Sequence, residues 1–256
     1  MTITTPQPRW AQTETDLSGK TVLVIGGGGG VGEGVVRTLL ASGATVVATG
    51  RNEERLDDFA ERIGDTSLHV STLDGLGVDL DEKAAALAAE FGPFDGVVVS
   101  IASWGEQGSK PLLTITDDEW RTLVEDNLTA VFRVYRAFTP TLAPDGILLQ
   151  LNGLSADLPF PGNGVVALGA AAGKSLTRTL AAELEGTGIR VYEVILGVVR
   201  TRARQLAGID NRRWIDGTEI GSHIAELVAG TSPLTGEVLH YFVDKATGPV
   251  TTRPQV

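Results

Sequence analysis

A run of five consecutive glycines, Gly26 to Gly30, points most directly to chemistry in this sequence. It follows the apolar segment Val22–Ile25 and precedes a helical pattern that begins near Val31. Glycine lets the backbone turn sharply and approach a diphosphate closely. The N-terminus of the next helix directs N–H groups and a positive dipole end toward the same point. A strand, a glycine-rich turn and a helix in this order predict a dinucleotide-binding site.

The residues at the end of the second predicted strand indicate which dinucleotide the site prefers. Proteins of this shape that take NAD place a carboxylate at the end of that strand, where it accepts hydrogen bonds from ribose hydroxyls. Here the position is Gly50, and Arg51 and Asn52 follow it. A guanidinium can bind a 2′-phosphate through two hydrogen bonds, whereas a carboxylate would repel it. These residues therefore favour NADP(H); the alternative is that Arg51 is a solvated loop residue.

Strand and helix patterns alternate along the chain, with no internal repeat and no linker. Asn52, Asp81 and Thr116 are predicted N-caps, the last in a capping box with Glu119. The alternation predicts an α/β fold, a single Rossmann-type domain over residues 19–256 with a doubly wound parallel sheet, after a polar N-terminal extension over residues 1–18. The predicted strands are 21–25, 45–48, 68–70, 96–101, 147–151, 189–195 and 237–243, and the later predicted helices are 81–91, 117–139, 165–185 and 218–229.

The composition narrows the range of partners. The chain has 256 residues, a net charge of −11 and no cysteine. An acidic protein does not suit nucleic acid or an anionic membrane surface, and without cysteine there are no disulfides or thiolate metal sites. His69, His223 and His240 lack metal-ligand spacing, so no metal site is predicted. We expect a cytoplasmic protein with a small-molecule ligand, because there is neither a signal-peptide core nor a bilayer-spanning apolar run.

Together these segments resemble the short-chain dehydrogenase/reductase family. Gly26, Gly30, Val31 and Gly32 match its glycine motif, although Ile25 stands in place of the usual threonine. Asn127 matches the asparagine that the family carries in a helix. Further matches extend over most of the chain, at residues 161–162, 176–183, 188–191, 197–201 and 235–239.

The resemblance implies both the fold and the cofactor contacts. It implies pairing into a homo-dimer or homo-tetramer through the helices at 117–139 and 165–185, although the small residues of the second helix also suit packing on its own sheet. Asp74 is expected near the adenine, with Asp79 as a competing position, and Gly197 and Thr201 near the nicotinamide. The implied cofactor-binding residues are Gly26, Gly30, Val31, Gly32, Arg51, Asn52, Asp74, Ser100, Gly197 and Thr201.

The residues that perform the family's proton transfer are missing. The positions of its tyrosine, lysine and serine are occupied by Val166, Ala170 and Gly153, none of which can donate a side-chain proton. Lys174 lies one helical turn beyond the lysine position, and a register that used it would break the flanking matches. The replacement candidates are Asn127, Asn152 and Ser155; Asn127 also suits a structural role and Ser155 a loop cap.

Three functions fit this pattern. The first is an NADP-dependent oxidoreductase with a non-standard proton donor, which suits an already activated acceptor such as an iminium or a conjugated enone. The second is a non-redox enzyme on the same scaffold, such as an isomerase, lyase or cyclase. The third is a cofactor-binding partner or sensor without turnover. The glycine run and Arg51 favour the first.

Overall fold

A seven-stranded parallel sheet runs through the centre of the protein, whose computed structural model describes residues 15–253. The strands are β1 Thr21–Ile25, β2 Thr45–Gly50, β3 Leu68–Thr72, β4 Phe94–Val99, β5 Leu142–Gly153, β6 Arg190–Leu196 and β9 Leu239–Phe242, while β7 Val199–Arg200 and β8 Ile215–Asp216 form a separate parallel pair. The strand order is β3-β2-β1-β4-β5-β6-β9, and the order reverses between β1 and β4. In open sheets of this kind, ligands bind at the carboxyl ends of the strands beside such a reversal.

Helices cover both faces of the sheet, which confirms the doubly wound α/β fold. The helices are α1 Gly32–Ala41, α2 Glu53–Ile63, α3 Leu80–Phe91, α4 Asp117–Val124, α5 Ala130–Phe138, α6 Gly164–Glu183, α7 Arg202–Leu206 and α8 Gly217–Ala229. Successive residues of a strand face opposite sides, so Val22 and Val24 join the core with α1, α2 and α8, whereas Leu23 and Ile25 join the core with α3, α5 and α6.

Local capping explains where several helices begin. The Asn52 side chain accepts a hydrogen bond from the Arg55 N–H, and Thr116 and Glu119 form the predicted capping box. The prediction for Asp81 was wrong. Asp81 lies inside the first turn of α3, since the helix begins one residue earlier with Asp79 at its N-cap position. The acidic first turn still complements the helix dipole there.

The predicted helix over 117–139 is divided by a π-helical turn. Glu125–Thr129 adopts this wider turn between α4 and α5, and Asn127 lies within it. Single π turns inside helices often occur at functional sites. Here the turn places the Asn127 side chain toward the loop that follows β4.

The segment before β1 is described from residue 15 onward. Most of the predicted extension, residues 1–14, lies outside the described residues. Leu17 is fully buried in the core with α1, and its N–H donates to the Ser42 carbonyl at 2.7 Å. Within residues 15–253, none of the helices combines the length and apolar character needed to cross a bilayer.

Candidate functional site

A cavity of about 790 Å³ opens along the carboxyl ends of β1, β2, β4, β5 and β6. One wall is the glycine loop between β1 and α1, and another is the N-terminal half of α6. The volume lies within the usual range for small-molecule and cofactor sites. The predicted cofactor residues Gly26, Gly30 and Val31 line it, as do Arg51, Asn52, Ser100, Gly197 and Thr201.

The glycine loop has the geometry of a phosphate cradle. Gly26 has φ +82°, and a Cβ there would collide with the Ser100 carbonyl oxygen. Gly32 lies behind the cavity wall, where a Cβ would collide with the Gly26 carbonyl oxygen, so it permits the close start of α1. Among the described residues, the N–H groups of Gly28, Gly29 and Gly30 have no acceptor, and all three residues border the cavity. Free backbone donors at a helix N-terminus suit a diphosphate.

Two arginines lie at the far end of this cradle. Arg51 is 66% exposed, and its Nη1 is 4.0 Å from Asp126 Oδ1, which leaves most of the guanidinium open to the cavity. Arg55, in the first turn of α2 and four residues after Arg51, also borders the cavity, and the sequence analysis missed it. Asn52 lines the cavity while its side-chain oxygen caps α2.

Asp74 lies outside the cavity lining. Its carboxylate accepts from the Leu76 N–H at 3.0 Å, which stabilises a turn after β3. The predicted contact between Asp74 and a bound adenine therefore has no support in the position of its side chain. Asp79, the competing position, forms an ion pair with Lys83 at 3.2 Å and also lies outside the lining.

The opposite end of the cavity is built around Gly197 and Thr201. The Gly197 N–H donates to the Phe242 carbonyl, and a Cβ on Gly197 would collide with the Val243 carbonyl, so β9 holds this loop in place. The Thr201 hydroxyl caps α7 by accepting from the Arg204 N–H. Arg204 also borders the cavity, but its Nη1 donates to the Val199 carbonyl at 2.7 Å.

Asn127 is buried and fully hydrogen-bonded. Its Oδ1 accepts from the Ser103 N–H, and its Nδ2 donates to the carbonyls of Ser103 and Leu123, all at 2.9 Å. These bonds attach the loop after β4 to the π turn. Asn127 therefore positions the cavity wall, which agrees with the structural alternative drawn from the sequence.

Asn152 cannot donate into the cavity, contrary to the prediction. Its Nδ2 donates to the Ala170 carbonyl and to Glu193 Oε1, each at 2.8 Å, which uses both amide hydrogens. Its Oδ1 accepts from the Gly153 N–H at 2.8 Å. The side chain thus connects β5, β6 and α6 at the floor of the cavity.

Ser155 keeps a hydroxyl available. It lies in the short 3₁₀ turn Leu154–Ala156 after β5 and borders the cavity. Within residues 15–253 its hydroxyl has no hydrogen-bond partner. A Cβ built on Gly153 would lie 3.3 Å from Ser155 Oγ. The Ser155 hydroxyl therefore lies close to where a side chain at position 153 would project.

Behind the cavity floor lies a buried polar cluster that the sequence pattern did not indicate. Glu193 on β6 is fully buried, and this burial raises the pKa of its carboxyl to about 7, while the hydrogen bond from Asn152 acts in the opposite direction. Lys174 Nζ donates to Asp157 Oδ1 at 2.6 Å and to the Tyr241 hydroxyl at 2.8 Å. Lys174 does not line the cavity, although it lies only one helical turn beyond Ala170, which does.

One large aromatic side chain, Trp104, lines the cavity. Trp104, from the loop after β4, borders the cavity and is half exposed. Its ring packs edge-on against Phe160, with the centroids 5.8 Å apart. A flat apolar molecule could lie against such a surface.

The chain is similar in sequence to known oxidoreductases. The family model for short chain dehydrogenase matches residues 20–211. An uncharacterized oxidoreductase of Staphylococcus epidermidis is 27% identical over 207 residues, covering 80% of this chain and 89% of that protein.

Solved structures share the fold as well. A short-chain dehydrogenase/reductase (glucose/ribitol dehydrogenase) from Brucella melitensis is 28% identical with a TM-score of 0.76, covering 86% of this chain and 94% of that one. An NADPH-bound short chain oxidoreductase from Pseudomonas aeruginosa, which contains an atypical catalytic center, is 26% identical with a TM-score of 0.71, covering 86% and 92%.

Proposed function

Because this chain belongs to the short chain dehydrogenase family, we propose that it is an oxidoreductase that uses NADP(H) and lacks the family's tyrosine-based proton transfer. The observation that carries this proposal is the cavity itself. Unpaired glycine N–H groups at one wall suit the diphosphate, and Arg51 and Arg55 beside them suit a 2′-phosphate. The NADPH-bound relative supports the choice of cofactor by analogy.

When bound, NADPH supplies a hydride, and the residues of the chain determine what can accept it. Val166 and Ala170 border the cavity and offer no proton, and the amide hydrogens of Asn152 are already bonded. The Ser155 hydroxyl can donate one hydrogen bond to a substrate oxygen or nitrogen. Such a site suits a substrate that is already electrophilic, such as an iminium or a conjugated enone, held against Trp104. Solvent then supplies any further proton.

A cofactor-binding protein without turnover is the second candidate. This candidate is favoured because the amide hydrogens of Asn127 and Asn152 are already bonded within the protein. These are two of the three residues that the sequence analysis gave as replacement proton donors. A non-redox enzyme has no particular contact in its favour. Binding and turnover experiments separate these functions.

The first experiment is a titration with NADPH and NADH, followed by quenching of the four tryptophans. We expect saturable binding with NADPH preferred, and a loss of NADPH affinity of roughly 10- to 100-fold in Arg51→Ala, as charge-assisted hydrogen bonds contribute about 1.5–3 kcal/mol. NADH affinity should change little. Arg121→Ala, an exposed arginine on α4, is the matched control. Equal losses for both cofactors in Arg51→Ala would refute the phosphate role.

The second experiment measures NADPH oxidation with ketones, enones and cyclic imines. We expect turnover of the enones or imines but not of simple ketones, and a lower kcat in Ser155→Ala than in the control Ser175→Ala on the exposed side of α6. Binding of NADPH without any turnover would support the second candidate. Turnover of simple ketones that is unchanged in Ser155→Ala would show that the site has another proton donor.

We also propose that the protein forms a homo-dimer or homo-tetramer through α4, α5 and α6. These helices expose the large apolar side chains Trp120, Phe132 and Leu168, each between 44% and 47% exposed. Apolar surface of this kind is typical of subunit interfaces. Sedimentation at micromolar concentration tests the proposal, since a monomer would contradict it.

A further inference from the structure

Glu193 is a buried carboxyl that neither the glycine cradle nor the proposed substrate contacts use. It lies on β6 opposite Gln150 of β5, and its side chain has no exposed surface. Oε1 accepts from Asn152, whereas Oε2 is buried with no hydrogen-bond partner among residues 15–253. Burying a carboxyl oxygen without a hydrogen-bond partner costs free energy, and such groups are rare in folded proteins.

The carboxyl lies directly behind the floor of the cavity. Asn152 donates to Glu193 and to the Ala170 carbonyl, and both Asn152 and Ala170 line the cavity. The same end of the cavity contains Gly197 and Thr201, the residues that the family resemblance associates with the nicotinamide. One side chain therefore separates Glu193 from the site proposed for the nicotinamide ring.

The titratable groups that face Glu193 leave its charge uncompensated. Lys174 from α6 is paired with Asp157, from the turn after β5, at 2.6 Å, so these two charges offset each other. The Tyr135 hydroxyl from α5 bonds to Gln150 and Thr177, and burial raises its pKa well above the ordinary value, so it is neutral. The Tyr241 hydroxyl from β9 accepts from Lys174. The net charge of this cluster changes from zero to −1 when Glu193 loses its proton.

We propose that the Glu193 carboxylate favours the oxidised cofactor over the reduced one, because the nicotinamide ring carries a positive charge in NADP⁺ and is neutral in NADPH. This inference rests on the proposed function. A negative charge in the protein interior attracts a nearby cation more strongly than it would in water. Bound NADPH thereby becomes a stronger hydride donor, which offsets part of the missing acid assistance.

The inference predicts a pH-dependent ratio of affinities. Since the pKa of Glu193 is raised to about 7, most molecules carry the neutral acid at pH 5.5 and the carboxylate at pH 8.5. We expect the ratio Kd(NADP⁺)/Kd(NADPH) to fall by roughly five- to tenfold over this range, which is the effect of one charge about 12–17 Å from the ring at an effective dielectric constant of about 20. Ionisation of the 2′-phosphate is common to both forms and cancels in the ratio.

Fluorescence titrations of both cofactor forms from pH 5.5 to 8.5 test this prediction. Glu193→Gln keeps an oxygen that can accept from Asn152 but cannot ionise, so its ratio should not change with pH. Glu185→Gln, at an exposed carboxylate beyond the C-terminal end of α6, should follow the wild type. A flat ratio in the wild type, or a wild-type profile in Glu193→Gln, would overturn the inference.

A second measurement uses only the wild-type protein, so it does not require that a variant folds. By linkage, binding of NADP⁺ near pH 7 must release a fraction of a proton from Glu193, whereas binding of NADPH must not. Calorimetry of the wild type in two buffers with different ionisation enthalpies measures this difference directly. Equal proton release for the two forms would contradict the role of Glu193 but not the proposed function. Absence of saturable binding by either form would contradict the proposed function as well.

Discussion

A buried pair of histidines predicts how this protein loses stability in acid. His223 on α8 and His240 on β9 are both buried, with His223 Nε2 2.9 Å from His240 Nδ1. His240 Nε2 lies 3.0 Å from the Leu234 carbonyl and 2.9 Å from the Glu237 carbonyl. Carbonyl oxygens only accept, so His240 carries its proton on Nε2 and its Nδ1 accepts from His223. His223 Nδ1 is left as an unpaired acceptor among the described residues.

Burial, together with repulsion from His240, lowers the pKa of His223 from 6.5 to about 3. Burial also lowers the pKa of His240. Because the unfolded chain takes up a proton near pH 6.5 and the folded protein does not, the neutral rings contribute stability above pH 6.5 that is lost progressively as the pH falls. At pH 5, about 1.5 pH units below that point, His223 alone reduces the free energy of unfolding by about 2 kcal/mol.

The assay is guanidinium unfolding of the wild type, His223→Gln and His69→Gln at pH 7.5 and pH 5, followed by circular dichroism. Glutamine at 223 can still donate to His240 but does not titrate, so we expect this variant to lose about 2 kcal/mol less than the wild type between the two pH values. His69 is exposed, and its variant should follow the wild type. Parallel losses in the wild type and His223→Gln would refute the reasoning.

Contacts elsewhere in the fold also determine the stability and cofactor affinity of three variants. Gly26→Ala should lower the Tm and abolish NADPH binding, because φ +82° costs roughly 1–2 kcal/mol for alanine and its Cβ meets the Ser100 carbonyl; unchanged titrations would contradict this. Thr116→Ala should reduce the free energy of unfolding by about 1 kcal/mol, since it removes the capping box of α4, whereas Thr179→Ala on α6 should not. Lys174→Met should cost about 3 kcal/mol in unfolding experiments, because it leaves the partly buried Asp157 unpaired, while the Kd for NADPH should stay the same.

The sequence predicted the features of this fold that arise from local pattern. β1 begins and ends at the predicted residues, and Asn52 and Thr116 cap their helices, because hydrophobic alternation and capping depend on neighbours within a few positions. Asp81 shows the limit of such rules. Three acidic residues, Asp79, Asp81 and Glu82, occur near the start of α3, and the pattern alone did not identify which one precedes the helix.

The contacts within the site could not be predicted from local pattern. Asn152 contacts Ala170 and Glu193 only after α6 packs onto β5 and β6, so no sequence pattern near Asn152 indicates that its amide hydrogens are bonded. The pairing of His223 with His240 depends in the same way on α8 packing beside β9. Arg55 is different: its position on a predicted helix, four residues after Arg51, was a usable signal that the sequence interpretation overlooked.

The charged groups behind the cavity floor affect the proposed reaction through their electric field. Of the residues named as possible donors, Ser155 alone keeps a free hydroxyl within the described chain, while the charged groups Lys174, Asp157 and Glu193 lie one layer behind the cavity floor. Groups in that layer cannot touch a substrate, but an electric field acts through a side chain. A site that supplies little acid therefore depends on the intrinsic reactivity of its substrate and on the hydride-donor strength of its cofactor. Because the Glu193 carboxylate strengthens the hydride donor, Glu193→Gln should lower kcat more than it raises KM, and the difference should grow between pH 6 and pH 8.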